Sequence, residues 1–497
     1  MKYLLCLLLP IACFAQLRVA KEFDHHMVIQ CNKPVRIFGK GNPHNSIEVL
    51  FANEKIISVV KLDSTWVAEF KKQKASAVPT KIIVLSGNER IELNNILIGD
   101  VWLCIGQSNM EWPAEKEIHF KEERLKMDQP LIRFYNPTFV GKNVFGKPYS
   151  DSLMKRLNPK DFYAGRWQTC DSNSVKTMSA VGYFFGKRIM KETSIPIGLL
   201  HLAIGGAPIE TFVNPDVMKN NPAFAAKVKG NWLANDALPV WVRERGKENL
   251  KGNLKTLDDE SPNHAYKPGF AFESGVYPLT KLPIKGILWY QGESNAQEKP
   301  RVLEYADLMK LMVDDYRKNW SDSALPFYFV QLSSIDSIKY ASALWPSFRN
   351  EQRLALDKTK YSGMAVCSDI GARADVHPRD KKTVGDRLAR WALNKTYNKK
   401  IIPSGPLPLH AKYADGKITI HFRYAGKNLL TSDGQSVRGF SLDGKTDAAA
   451  TINKQTITIE TKEIPQYVYY AWKPYTDANL INSERLPATT FKIKIEK

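Results

Sequence analysis

Four short stretches of this 497-residue chain carry residue types able to do acyl-transfer chemistry. Ser108 sits in Gly106-Gln107-Ser108-Asn109-Met110, directly after the apolar run Val101-Trp102-Leu103-Cys104-Ile105. A serine at the carboxyl end of a strand, entering a helix, faces the crevice where open α/β sheets bind ligands. The helix start offers backbone N–H groups and a positive dipole end to a developing oxyanion. An unactivated serine hydroxyl also needs a base, and Asp375-Val376-His377-Pro378 supplies an imidazole late in the chain with an acid just before it.

Two further stretches also end apolar runs. Gly205-Gly206 in Ile204-Gly205-Gly206-Ala207-Pro208 lets the backbone approach a ligand closely and aim an N–H at it, or serves a tight turn that needs positive φ. Gln291 and Asn295, in Trp289-Tyr290-Gln291-Gly292-Glu293-Ser294-Asn295, are neutral amides able to donate to an oxyanion. Glu293 between them reads as an orienting group, because a carboxylate beside developing negative charge opposes catalysis. Met110 and Trp112 follow the serine and either wall a small acyl pocket or face the core. Asp375 and His377 lack a nearby third ligand, so neither a metal nor an organic cofactor is expected.

The elements that must position these residues alternate. Strand-like runs at 100–105, 198–204, 285–290, 326–331 and 363–368 are separated by helical patterns at 180–192, 305–319 and 383–395. That alternation predicts an α/β domain with a largely parallel sheet, over residues 98–404. A polar, Pro- and Gly-broken insertion at about 214–277 interrupts it, long enough to be a functional lid. Short alternating segments predict a β module at 16–97 and a second at 405–497.

Residues 1–15 read as a cleaved secretory signal peptide. Lys2 gives the positive end, 3–11 the apolar stretch and Cys13-Phe14-Ala15 the cleavage pattern, with cleavage near Ala15. The expected product is secreted or periplasmic, without integral membrane contact. Beyond that leader lie Cys31, Cys104, Cys170 and Cys367, too scattered for a disulfide framework, so buried free thiols are expected. The formal net charge of +20 is spread along the chain without a nucleic-acid recognition pattern. A positive field suits an anionic partner such as an acidic glycan, and a solvated lysine-rich surface explains the charge equally. Nothing in the sequence sets the oligomeric state.

Taken together, the order GQSNM, GGAPIE, WYQGESNA, DVHPRDK resembles the sialate O-acetylesterases of the SGNH-hydrolase superfamily. Met27-Val28-Ile29-Gln30, the stretch 266–274, Val384-Gly385-Asp386-Arg387-Leu388, and the ending from Tyr470-Ala471-Trp472 to Leu486-Pro487 extend the resemblance over nearly the whole mature chain. It implies a three-layer α/β domain flanked by β-sandwich-type modules, and hydrolysis of O-acetyl groups from sialic acids. Acetylated xylan or another glycan is the alternative substrate, and a non-catalytic glycan-binding protein the alternative class. Position by position, Ser108 matches the nucleophile and His377 the base. The N–H of Ser108, a glycine of Gly205-Gly206 and the Gln291 amide would form the oxyanion hole, with Asn295 a second candidate. The superfamily commonly places its acid three residues before the histidine, where this chain has Ala374. Asp375, Asp369 or a Ser–His dyad therefore remain open.

Overall fold

The computed structural model describes residues 16–251 and 261–497. The expected leader at 1–15 lies outside the described residues.

One 18-residue strand, Glu89–Gly106, organises the molecule. Its first half pairs antiparallel with Ser76–Ser86 and parallel with Val28–Gln30. Its second half lies between Ile197–His201 and Gly286–Tyr290, parallel to both. Among the described residues the parallel strands run in the order Ile132–Tyr135, Ile197–His201, Glu89–Gly106, Gly286–Tyr290, Phe327–Val330, Ser362–Ala365. Trp167–Thr169 adds an antiparallel edge beside Ile132–Tyr135. The chain order reverses at the long strand, whose neighbours appear third and fourth among these strands. Such a switch point opens a crevice beyond the strand carboxyl ends, and Ser108 follows directly.

Residues 101–105 are buried on both faces, as a parallel sheet covered by helices requires. Helices Ala180–Thr193 and Lys381–Lys395 pack together on one face. There Phe185 meets Trp102 edge-on at 4.9 Å, and a Cβ on Gly182 would lie 3.2 Å from Cys104 Sγ. On the other face Trp289 contacts Phe212 and donates to the Tyr305 hydroxyl at 3.2 Å, Tyr305 opening helix Tyr305–Asn319. That helix buries Leu308, Met309, Met312, Val313 and Tyr316, an apolar stripe at helical spacing. Removing one buried aromatic such as Trp102 down to alanine costs about 3–5 kcal/mol. Local signals set the helix starts. Ser179 accepts from Gly182 N at 3.1 Å, and Asp380 from Thr383 N at 2.9 Å.

The expected boundary at 97/98 falls inside the long strand, and a single hydrophobic core runs from Leu17 to Leu407. Before that strand, antiparallel sheets face each other through Phe51 and Phe70, edge-on at 5.6 Å. The described part of the 214–277 stretch is packed: it contributes helix Val240–Leu250 and buries Trp232, Leu233 and Phe270, while residues 252–260 lie outside the described residues. Beyond Leu407 a second sheet has its own core around Ile418, Ile420, Val468 and Phe491. Arg349, on helix Trp345–Lys358, ties this sheet to the centre by donating to the carbonyls of Ala471, Lys473 and Pro474. Cys31, Cys104, Cys170 and Cys367 are buried free thiols. Among the described residues no helix is long and apolar enough to cross a membrane.

Candidate active site

Gly106 makes the turn that presents Ser108. Its φ is +134°, and a Cβ there would sit 2.1 Å from the Tyr290 carbonyl oxygen, so only glycine fits. Gln107 then locks neighbouring strand ends together. Its backbone N–H donates to Tyr290 O at 2.9 Å, and its side-chain oxygen accepts from Gln291 Nε2, Ser294 N and Gly292 N at 3.1, 3.2 and 3.3 Å. Ser108 opens a one-turn helix, Ser108–Glu111, and is half-buried.

From 269 positions later in the chain, His377 Nε2 comes within 2.9 Å of Ser108 Oγ. Burial, with the Lys381 ammonium next in importance, lowers the His377 pKa to about 4, so the ring is neutral at neutral pH. A neutral imidazole can accept the serine proton. The Trp112 indole covers one side, its centroid 5.2 Å from the imidazole. Asp375 Oδ1 accepts the His377 backbone N–H at 2.9 Å and lies 3.5 Å from Nδ1, with 55% of the Asp375 side chain exposed. Asp369 is engaged elsewhere, in a two-pronged pair with Arg387 at 2.6 and 2.7 Å. Asp375 is thus the expected acid that stands beside the histidine.

The glycine pair lies beside the serine. A Cβ on Gly205 would be 3.9 Å from Ser108 Cβ, and Gly206 has φ +76°. Their carbonyls accept from Tyr266 Oη at 2.8 Å and Ser294 Oγ at 2.9 Å, which fixes the turn. The half-buried Glu111 carboxylate takes a backbone hydrogen bond from Gly205 and pairs with Lys142 at 3.3 Å.

The two side-chain amides depart from the expected oxyanion role. Gln291 is buried, and its Nε2 already donates to Asn295 Oδ1, Gln107 Oε1 and Ala207 O at 2.7, 3.1 and 3.3 Å. Its Oε1 accepts from the Tyr305 hydroxyl at 2.9 Å. Asn295 donates to Glu210 Oε2 at 2.9 Å and accepts from Ile209 N at 3.1 Å. Both amides therefore brace the floor beneath the turn: the Gln291 hydrogens are committed within the protein, and Asn295 gives one of its two to Glu210. Met110 is fully buried, with Ser179 Oγ 3.6 Å from its sulfur, so it belongs to the core side, whereas Trp112 lines the histidine.

Asn109 and Lys381 escaped the sequence reading, although both lie inside the quoted motifs. Asn109 donates to Glu293 and to the Val376 carbonyl, and accepts from the Lys381 ammonium. All three side chains are buried. Among the described residues, Glu117, His119 and Asp380 bring possible metal-ligand atoms within 4.8 Å of one another. The carboxylates there already accept from His119, Lys382 and Thr383.

Residues 274–394 match the family described as carbohydrate esterase, sialic acid-specific acetylesterase. The chain is 26% identical over 435 residues to a human sialate O-acetylesterase, covering 79% of this chain and 73% of the human protein. The mouse sialate O-acetylesterase is 24% identical over 419 residues, covering 79% and 76% of the two chains. In structure the chain is similar to a carbohydrate acetylesterase from Xanthomonas citri, at TM-score 0.77 and 25% identity, with 95% and 98% of the two chains covered. Family match, curated relatives and fold agree on a carbohydrate esterase that is similar to the sialate O-acetylesterases.

Proposed function

We propose that the protein removes O-acetyl groups from sialic acids by acyl transfer through Ser108 and His377, in an SGNH-type catalytic domain. The observation that carries this reading is the 2.9 Å contact between Ser108 Oγ and His377 Nε2 at the carboxyl end of the central strand. His377 takes the serine proton while Ser108 Oγ bonds to the acetyl carbonyl carbon. The Ser108 backbone N–H and the Gly206 N–H stabilise the oxyanion, the Gly205 N–H being held by the Glu111 carboxylate. Collapse breaks the bond to the sugar oxygen, which leaves with the proton from His377. Water, deprotonated by the same histidine, then releases acetate and restores Ser108. Asp375 holds the imidazole from its Nδ1 side, in a partly exposed position.

The sialic-acid substrate is supported by the family match and by the curated relatives. The boundary at 404/405 draws support from the separate core beyond Leu407, whereas residues 16–97 share one core with residues 98–404. Export after cleavage near Ala15 completes the proposal and is read by amino-terminal sequencing of the mature protein. The deciding experiment compares acetate release from O-acetylated sialosides and from acetylated xylan by the native chain and by Ser108→Ala. Release from sialosides that Ser108→Ala abolishes, with the melting curve unchanged, supports the reading. Faster release from xylan would move the substrate to neutral glycans, and an active Ser108→Ala would remove the nucleophile.

A further inference from the structure

Lys381 is a buried ammonium at the first turn of helix Lys381–Lys395. Its Nζ donates to Asn109 Oδ1 and lies 5.5 Å from the ring centroids of both Trp112 and Tyr290. Asn109 turns its amide nitrogen the other way, to Glu293 Oε1 and, at 3.0 Å, to the carbonyl of Val376. One amide, immediately after the nucleophile, therefore joins a buried cation, a buried carboxylate and the residue preceding His377. The second Glu293 oxygen is buried without a hydrogen-bond partner. A lysine and a glutamate bridged in this way are costly to bury, burial pushing the Glu293 carboxyl above its ordinary value, and make poor sense as a stabilising device alone.

We propose that Lys381, Asn109 and Glu293 form a positioning unit that holds the His377 segment against the Ser108 turn and keeps the imidazole unprotonated in acidic surroundings. The proposal rests on the Ser108–His377 reading above. Asn109 supplies the geometry, because its bond to Val376 O fixes the backbone that aims His377. Lys381 supplies the field. The charged or titratable groups acting on His377 are Lys381, Asp375 and Lys116, and those acting on Lys381 are Glu293, Cys367, Asp375 and Asp380. Burial, opposed by Glu293, brings the Lys381 pKa down to about 7, so the side chain is charged throughout the acidic range. A fixed positive charge there disfavours imidazolium. Removing it raises the His377 pKa and moves the acid limb of kcat/KM upward, since that limb reports the base of the free enzyme.

The test is the pH profile of acetate release by Lys381→Met, Lys381→Gln and Lys381→Arg. Both neutral variants should move the acid limb up by about one pH unit, and the arginine variant should leave it near the native position. Asn109→Ala should lower kcat about 10²-fold with KM little changed, the size of loss expected from a misplaced catalytic group. A purely structural lysine would lower the melting temperature and leave the limb in place. An unmoved limb in a folded neutral variant overturns the proposal. In the native chain, an NMR titration of the His377 ring should have its midpoint near 4, and a midpoint at the ordinary 6.5 overturns it without any substitution. Ser108→Ala serves as the control. If that variant keeps native activity the catalytic reading itself fails, an outcome distinct from an unmoved limb.

Discussion

The indole of Trp112 stacks on the imidazole of His377 with centroids 5.2 Å apart and planes inclined by 24°. Burial is the largest influence on that imidazole and favours its neutral form. Trp112→Ala lets water reach the ring, so the His377 pKa should rise from about 4 towards 6.5. Activity of the variant should then fall away at a higher pH than in the native enzyme. The pH dependence of kcat/KM on a small acetate ester measures this, and an unchanged acid limb would count against indole shielding.

Asp375 and Asp369 should separate cleanly. A buried acid in a working triad is worth about 10⁴ in kcat. Asp375 stands 3.5 Å from Nδ1 with 55% of its side chain exposed, where water competes for the same contact. Asp375→Asn should therefore lower kcat by roughly 10–10²-fold, well short of the triad value. Asp369→Asn weakens the two-pronged pair with Arg387 and should lower the melting temperature while leaving kcat nearly intact. Saturation kinetics of both variants beside His377→Ala decide it, and an Asp369→Asn enzyme that is folded but inactive would reverse the assignment.

Gln291→Ala should act first on stability. The substitution strips partners from Gln107, Asn295 and the Tyr305 hydroxyl, all within the buried floor. Each polar group left unpaired costs about 1–3 kcal/mol. A large fall in the denaturation midpoint is expected, with kcat falling because the turn beneath Ser108 loosens. Native stability combined with a purely kinetic loss would return Gln291 to the oxyanion hole.

The same floor rests on a buried charge. Lys227 Nζ contacts Glu210 Oε1 at 2.7 Å and Glu304 Oε1 at 2.6 Å, while Glu210 also receives the Asn295 amide. Burial alone would raise the Glu210 pKa, but Lys227 and Asn295 outweigh it and the net shift is downward. Its contribution to stability is thus complete above the ordinary carboxylate value of 4.5 and is lost as pH falls through the depressed folded value. Lys227→Met, which strands Glu210, should cost about 3–5 kcal/mol. Urea midpoints at neutral and acidic pH check both statements. A variant as stable as the native chain would show that the pair does not support the floor.

Short, dense motifs made much of this site legible. Ser108 and His377 could be named from sequence because a strand end followed by a helix, and a late histidine with a neighbouring acid, are local patterns. The helices expected at 180–192, 305–319 and 383–395 were legible from their helical pattern for the same reason, and occur at 180–193, 305–319 and 381–395. Strand Ile132–Tyr135 was missed because its four residues include a charged Arg133 and give no alternation long enough to read. Helix Trp345–Lys358 was missed because it buries Arg349, Asn350, Gln352 and Arg353 along with its apolar residues, which blurs the stripe. Gln291 and Asn295 were assigned as donors on chemical type and on the family resemblance. Whether an amide hydrogen is free depends on acceptors such as Gln107 and Glu210 that arrive from other segments. Lys381 was invisible because a lysine in sequence reads as surface.

The long strand Glu89–Gly106 also limits how this protein can be cut or rearranged. Its 18 residues span roughly 60 Å, with one half clamped in the amino-terminal sheet and the other ending two residues before Ser108. A chain begun at residue 98 would lose the strands Val28–Gln30 and Ser76–Ser86 together with the first half of the strand they pair with. The apolar surface that residues 17–97 cover in the shared core would then be open to other chains, a recipe for aggregation. Engineered fusions or permutations are better placed at the exposed turns around Gly87 or Gly434, where an added side chain meets nothing. The amino-terminal sheet behaves as the mounting of Ser108, inseparable from it along a single covalent rod.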